Sequence, residues 1–251
     1  CSQAGISSRY VHITRSTALP AAWSGSETFC EFELPQTLGI TPELIVRFQV
    51  SVATAAVTLP PTTFWVSRLE EFIGNDQIAT TYSNELWNEG VGFLTPAKLD
   101  QLNEALNTTT SYGNASVPVG TSYYYLPLAA TSFATMSPYV KGFAAKLRVR
   151  LYFPSSIIAS GSGTIALSDV LLVAKELMTS PARERQIADA HSGGVVDYNL
   201  IVRERQQENT SLTAGTDTAF FLRAFKNHSA GLLVYLTNQS PSNATLIDRV
   251  P

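Results

Sequence analysis

The chain is poor in the residues from which catalytic and metal sites are built. Of 251 residues only three are histidine (His12, His191, His228) and two are cysteine (Cys1, Cys30). No H-x-x-x-H or C-x-x-C spacing joins them, so no zinc site is written locally, and each histidine reads as one satisfied by neighbouring backbone. Two thiols cannot make a disulfide framework in a chain this long; they fit synthesis in a reducing compartment. No G-x-S-x-G elbow is present. Ser160-Gly161-Ser162-Gly163 lacks the Lys-Ser/Thr that completes a phosphate loop and reads as a flexible turn. Charge is sparse too: 17 basic and 20 acidic residues, without long runs, give a net charge of −3. That leaves no footprint for nucleic acid or an anionic membrane. No apolar run reaches the roughly 18 residues of a membrane span, and no basic stretch followed by an apolar core marks a signal peptide.

Alternation is what the sequence has in quantity. In residues 44–52, Leu44, Val46, Phe48, Val50 and Val52 alternate with Ile45, Arg47, Gln49 and Ser51, the pattern of a sheet with one wet face. Residues 28–34 put Cys30, Phe32 and Leu34 on one side and Glu31 and Glu33 on the other. Residues 142–153 set Phe143, Ala145, Leu147, Val149, Leu151 and Phe153 against Lys146, Arg148 and Arg150. Residues 9–14 and the aromatic stretch 123–128 are further strands, and 64–82 reads as a hairpin turning at Gly74-Asn75-Asp76, where Gly and Asn can take positive φ. Residues 19–26, 107–120 and 155–163 read as loops. One helix is expected after Thr95, with Pro96 at its start and Leu99, Leu102 and Leu106 as its stripe.

Residues 164–186, TIALSDVLLVAKELMTSPARERQ, are ambiguous. Period two groups Ile165, Leu167, Leu171, Val173 and Leu177; period 3.6 groups Leu167, Val170, Leu171, Ala174, Leu177 and Met178, with Ser168 as a cap. Ser180-Pro181 then opens a helix over 181–191, closed by Gly193-Gly194. Beyond it, residues 195–205, 219–226 and 232–238 are strand candidates. About eight strands precede this helix, the number of a jelly roll.

Of the acidic neighbours, Glu31 with Glu33 and Glu70 with Glu71 are candidate paired acids, but their place on strands favours a solvated or inter-subunit surface. Arg183, Glu184 and Arg185 are either ion-pairing groups for a neighbouring subunit or a solvated helix face. Six N-x-Ser/Thr sequons, at Asn107, Asn114, Asn209, Asn227, Asn238 and Asn243, read as chance in a Ser/Thr-rich chain.

Four stretches, in order, carry a resemblance. Residues 64–86, with IGNDQI at 73–78 and Tyr82 after it, are the first. Tyr125-Leu126-Pro127-Leu128 followed by residues 138–153 is the second. Leu171-Leu172-Val173 with Glu184-Arg185 and residues 198–206 is the third, and residues 221–239 with Asn227-His228 the fourth. Together they resemble the major capsid proteins of the double jelly-roll lineage of double-stranded DNA viruses: nucleocytoplasmic large DNA viruses, virophages and adenovirus-like relatives. Asn75 stands where that family has a second glycine, a position Asn also tolerates. Family members continue well past the opening strands of their second roll, so the expectation is a fragment, a cleavage product or part of a longer protein.

The resemblance implies an all-β, viral jelly-roll β-sandwich with one or two short helices. The first roll would be complete over residues 1–179, with a helical connector at 180–194 and the opening strands of a second roll at 195–251. It implies a structural, non-enzymatic protein of an icosahedral capsid that self-assembles into pseudo-hexagonal homotrimers. Partners would be copies of itself and neighbouring capsomers, minor capsid or penton proteins and an internal membrane beneath the shell, with no direct nucleic acid. The place would be the virion, after synthesis inside the host cell. No catalytic, cofactor-binding or metal residue is expected, and no cofactor. A carbohydrate- or receptor-binding β-sandwich is the alternative, favoured if Tyr123, Tyr124 and Tyr125 line a polar groove.

Overall fold

A computed structural model describes residues 7–87, 95–109, 113–129, 131–157 and 160–192. In chain order the strands are β1 (Ser7–Thr14), β2 (Thr28–Glu33), β3 (Ile40–Ala53), β4 (Val57–Leu59), β5 (Arg68–Ile73), β6 (Asp76–Tyr82), β7 (Ala115–Val117), β8 (Gly120–Pro127), β9 (Leu147–Phe153) and β10 (Thr164–Met178). The α-helices are α1 (Ser83–Glu85), α2 (Pro96–Leu102), α3 (Ser132–Met136) and α4 (Pro181–Ser192). The strand candidates at 195–205, 219–226 and 232–238 lie outside the described residues.

Two antiparallel four-stranded sheets form a sandwich, in the orders β1-β10-β3-β8 and β2-β9-β5-β6. With the short β4–β7 pair set aside, the pairings nest: β1 with β10, β2 with β9, β3 with β8, β5 with β6. A long antiparallel ribbon folded at the β5–β6 turn and rolled up gives this nesting, with the β3–β10 and β5–β9 pairings closing it. That is the jelly roll, a fold that buries one face of each sheet against the other.

The inward residues are those of the alternating pattern. Cys30, Phe32, Val46, Phe48, Val50, Leu69, Leu147, Leu151, Phe153 and Leu172 are fully buried in one continuous core. Trp65 stands at its centre, its ring 5.0 Å from Tyr124, 5.5 Å from Phe48 and 5.8 Å from Trp23. Both indoles find acceptors, Trp23 Nε1–H donating to the Trp65 carbonyl at 3.0 Å and Trp65 Nε1–H to the Pro60 carbonyl at 2.8 Å, so the tryptophans bury no unpaired donor.

The ambiguity of residues 164–186 resolves as a 15-residue strand with a bulge. Between Leu167 and Asp169 the register to β3 slips. An extra residue reverses the side chains' faces, so Leu167 points inward before the bulge, and Val170, Leu172, Ala174 and Glu176 do so after it. The face Ile165, Leu167, Leu171, Val173, Leu177 expected from period two therefore mixes both sides. The helix after Pro181 runs one residue beyond the expected 191.

Four further expectations are corrected. Gly74 alone takes positive φ (62°) in the β5–β6 turn, and Asn75 does not; a positive first central residue is the mark of a type II′ hairpin. Leu102 is exposed, because α2 ends there; Leu99 and Leu106 are buried with Trp87 and Phe64 in a satellite cluster. Residues 107–120 are not simply a surface loop. Asn107 and Thr108 are buried and β7 pairs with β4, since the Asn107 amide donates to the carbonyls of Leu59 (3.1 Å) and Pro60 (3.0 Å). Finally, the 160–163 turn is docked rather than loose: Ser160 and Thr58 exchange backbone hydrogen bonds, and a Cβ on Gly163 would lie 1.9 Å from the Ala55 carbonyl oxygen.

Candidate functional site: the two outer faces of the sandwich

With the inward residues committed to the core, the outward ones are what the described sandwich offers to a partner, and the two sheets use theirs differently. On β2-β9-β5-β6 the outward positions form an ionic and aromatic lattice. Glu31 of β2 accepts from Arg150 at 2.8 Å and from Arg148 at 3.2 Å, both on β9. Arg68 of β5 donates to Glu70 at 3.1 Å and grips both Glu27 oxygens at 2.8 and 2.9 Å. That hydrogen-bonded guanidinium holds the Glu27 carboxyl below its ordinary value, against the smaller opposing effect of burial. The Tyr152 hydroxyl donates to Glu70 at 2.9 Å, and the Arg68 guanidinium lies 3.6 Å from the centre of the Tyr152 ring. Arg150 covers the Phe29 and Phe72 rings at 5.0 and 4.9 Å. This face is satisfied within one chain, and Glu33 is likewise paired with Lys146 at 2.6 Å.

Glu71 departs from the expected surface role. The β5 residue points inward and is fully buried, its oxygens accepting from the backbone N–H groups of Ser132 and Phe133 at 2.7 Å each. A carboxylate here closes the first turn of α3. Its alternation with Leu69 and Ile73 was the available signal. Glu184 is a second correction, since it pairs with Lys141 of the same chain; Arg183 and Arg185 are exposed.

On β1-β10-β3-β8 the outer face is less self-contained. Cross-strand register places His12, Val173, Ile45 and Pro127 in one row, and Thr14, Leu171, Arg47 and Tyr125 in the next. Tyr10 and Tyr123 are each more than half exposed and Tyr125 is 38% exposed. Arg47 lies 5.2 Å from the Tyr123 ring centre, and among the described residues no carboxylate is within ion-pairing distance of it. Tyr124 is turned into the core, so the three tyrosines do not share a groove. The pairing of residues 47 and 125 spans the chain and carried no local signal, although the wet-face parity of Arg47 was readable.

Two open clefts lie among the described residues. One open cleft of about 330 Å³ is lined by Pro42, Leu44, Pro127 and the Glu43–Lys175 pair, among others. Another of about 220 Å³ lies between α4 and the ends of β1 and β10. Among the described residues no three His, Cys, Asp or Glu side chains gather as metal ligands. His12 is exposed, His191 packs on Tyr139 with ring centres 5.0 Å apart, and His228 lies outside the described residues. No described helix is long and apolar enough to cross a membrane.

The fold so defined is a jelly-roll β-sandwich, and solved viral capsid proteins share it. The structure is similar to VP54 of PBCV-1 as fitted into a cryo-EM reconstruction of the virophage Sputnik, with a TM-score of 0.57 and 10% identity over 75% of this chain and 46% of that one. The capsid of PBCV-1 in a quasi-atomic model gives a TM-score of 0.55 at 10% identity, over 75% of this chain and 46% of that. The Faustovirus major capsid protein gives 0.52 at 9% identity, over 73% and 56%. The chain thus spans about half the length of the solved capsid proteins it matches. No family model and no curated protein sequence matches it. The resemblance therefore holds at the level of fold; of its four sequence stretches, residues 198–206 and 221–239 lie outside the described residues.

Proposed function

We propose that the protein is a structural component of an icosahedral viral capsid that associates with copies of itself into trimers of pseudo-hexagonal outline. The observation that carries this reading is the nested eight-strand roll, which matches solved capsid proteins over three quarters of the chain. In this reading the described sandwich is the first of two rolls, α4 belongs to the connector at 180–194, and residues 195–251 begin the second. The work is lateral adhesion, not chemistry, and its place is the virion. The β1-β10-β3-β8 outer face is the contact surface, because exposed Tyr beside half-buried Arg47 and aliphatics forms the composition of an interface core. Minor capsid or penton proteins and an internal membrane are the further neighbours, and nucleic acid is not contacted directly. The sugar-binding alternative finds no support in Tyr123 and Tyr125, which stand on an open sheet face and line neither cleft.

Sedimentation velocity and negative-stain electron microscopy of the full chain test this. Trimers or larger assemblies with a hexagonal outline are expected; a monomer at every concentration would overturn the proposal.

A further inference from the structure

Helix α4 is attached to the sandwich in an unusual way for a 12-residue element. None of its residues is buried, so no apolar stripe holds it down, and a helix of this length is marginal alone. Its half-exposed positions Glu184, Ile187 and His191 fall at i, i+3 and i+7 and share one face. That face meets the 3-10 turn Val140–Gly142, with Tyr139 before it. Lys141 of the turn donates to Glu184, and the His191 ring packs on Tyr139 at 5.0 Å. Gly142 lies against the second contact: a Cβ there would come within 2.7 Å of His191 Nδ1, 2.9 Å of its Cγ and 2.9 Å of Tyr139 Cδ1. The ring reaches the turn only because residue 142 has no side chain.

We propose that Lys141–Glu184 and His191–Tyr139 form a two-point clasp that holds α4 against the sandwich and opens without unfolding it when His191 takes up a proton. Among the described residues the charged and titratable groups around the clasp are Tyr139 and Lys141 on the turn, Glu184 and Asp189 on α4, and Arg9 and Glu176 across the cleft at the ends of β1 and β10. Of these, Glu184 and Glu176 are committed to Lys141 and to Arg9, at 2.6 Å for the latter. Burial against the turn holds the His191 imidazole below its ordinary pKa, so the docked helix binds fewer protons than the released one. Docking is therefore complete above the free imidazole value of about 6.5 and weakens as pH falls from there towards the docked value. A single proton changes the opening equilibrium by at most about tenfold per pH unit. The clasp operates whether or not the chain assembles.

Hydrogen exchange of the full chain, corrected for the intrinsic pH dependence of amide exchange, tests it on α4 amides with β3 and β10 amides as internal reference. Between pH 7.5 and 5.5, opening of α4 should rise several-fold while β3 and β10 stay protected. His191→Gln should abolish that pH step, and Gly142→Ala should open α4 at both pH values. Three results would each overturn the proposal: a pH step that survives His191→Gln, α4 protection unchanged in Gly142→Ala, or α4 opening only together with β3 and β10.

Discussion

The Glu71 carboxylate and the Phe133 backbone N–H lie 2.7 Å apart, joining an inward position of β5 to the first turn of α3. The second oxygen takes the neighbouring Ser132 N–H at the same distance. A buried acid is tolerated there because two donors at a helix start face it. Glu71→Ala strands both amides and is expected to cost about 2–4 kcal/mol, and Glu71→Gln, which keeps one acceptor, about 1–2 kcal/mol. Urea unfolding followed by tryptophan fluorescence measures both. Equal losses for the two variants would mean that the packing of the side chain matters and its second acceptor does not.

The contrast between Glu71 and Glu31 marks how far the sequence could be read. Strand positions and inward faces were legible wherever alternation ran unbroken, as in β3, because period two is a local property. It failed at Ser168, where one bulge residue exchanged the faces of β10, and at β4 and β7, whose three-residue lengths leave no period to detect. At Glu71 alternation points inward while its charge points to the surface, and what decides between them is a pair of donors 61 and 62 residues away, which no local pattern announces. The outer-face pairing of Arg47 with Tyr125 was hidden for the same reason: parity named the face, and only the register between β3 and β8 joined the residues.

Glu176 makes stability depend on acid. Burial by itself pushes this carboxyl upward, but the Gly39 N–H at 2.7 Å and the Arg9 guanidinium at 2.6 Å together hold it below the ordinary range. A carboxyl depressed in the folded state contributes stability that is present above the unfolded value of about 4.3 and is lost as pH falls through the folded value. Glu176→Gln should therefore lower Tm at pH 7 and flatten the decline between pH 5 and 3. Parallel Tm curves for the variant and the parent would contradict this.

Cys30 sits wholly inside the core, and burial pushes its thiol up to about 12. The thiolate is the reactive form, so in a Cys1→Ser background the folded protein should not react with a thiol reagent at pH 8, and one thiol should react in denaturant. Reaction in the absence of denaturant, at a rate faster than global unfolding, would show that the sandwich opens locally around β2.

The two outer faces should respond oppositely to charge substitution, because Glu31 is paired within the chain while Arg47, on a face whose Lys175 is paired with Glu43 and whose Asp169 is paired with Arg15, has no carboxylate partner among the described residues. Glu31 holds Arg148 and Arg150 on the adjacent strand and is only 12% exposed. Glu31→Gln removes the carboxylate nearest to two half-buried guanidinium groups, leaving Arg150 only Glu70 at 4.0 Å, and is expected to cost about 1–2 kcal/mol, between an exposed pair and a buried one. It should not alter association. Arg47→Glu with Tyr123→Ser changes outward side chains that contribute nothing to the core, so its effect on folding should stay within about 0.5 kcal/mol. If the β1-β10-β3-β8 face is the contact surface, the same double variant should reduce self-association by at least about tenfold, since an interface centred on Tyr and Arg loses its anchors and gains an unpaired acid. Thermal unfolding and sedimentation velocity on both variants separate the outcomes. Loss of association in Glu31→Gln with none in the double variant would place the contact on the opposite sheet.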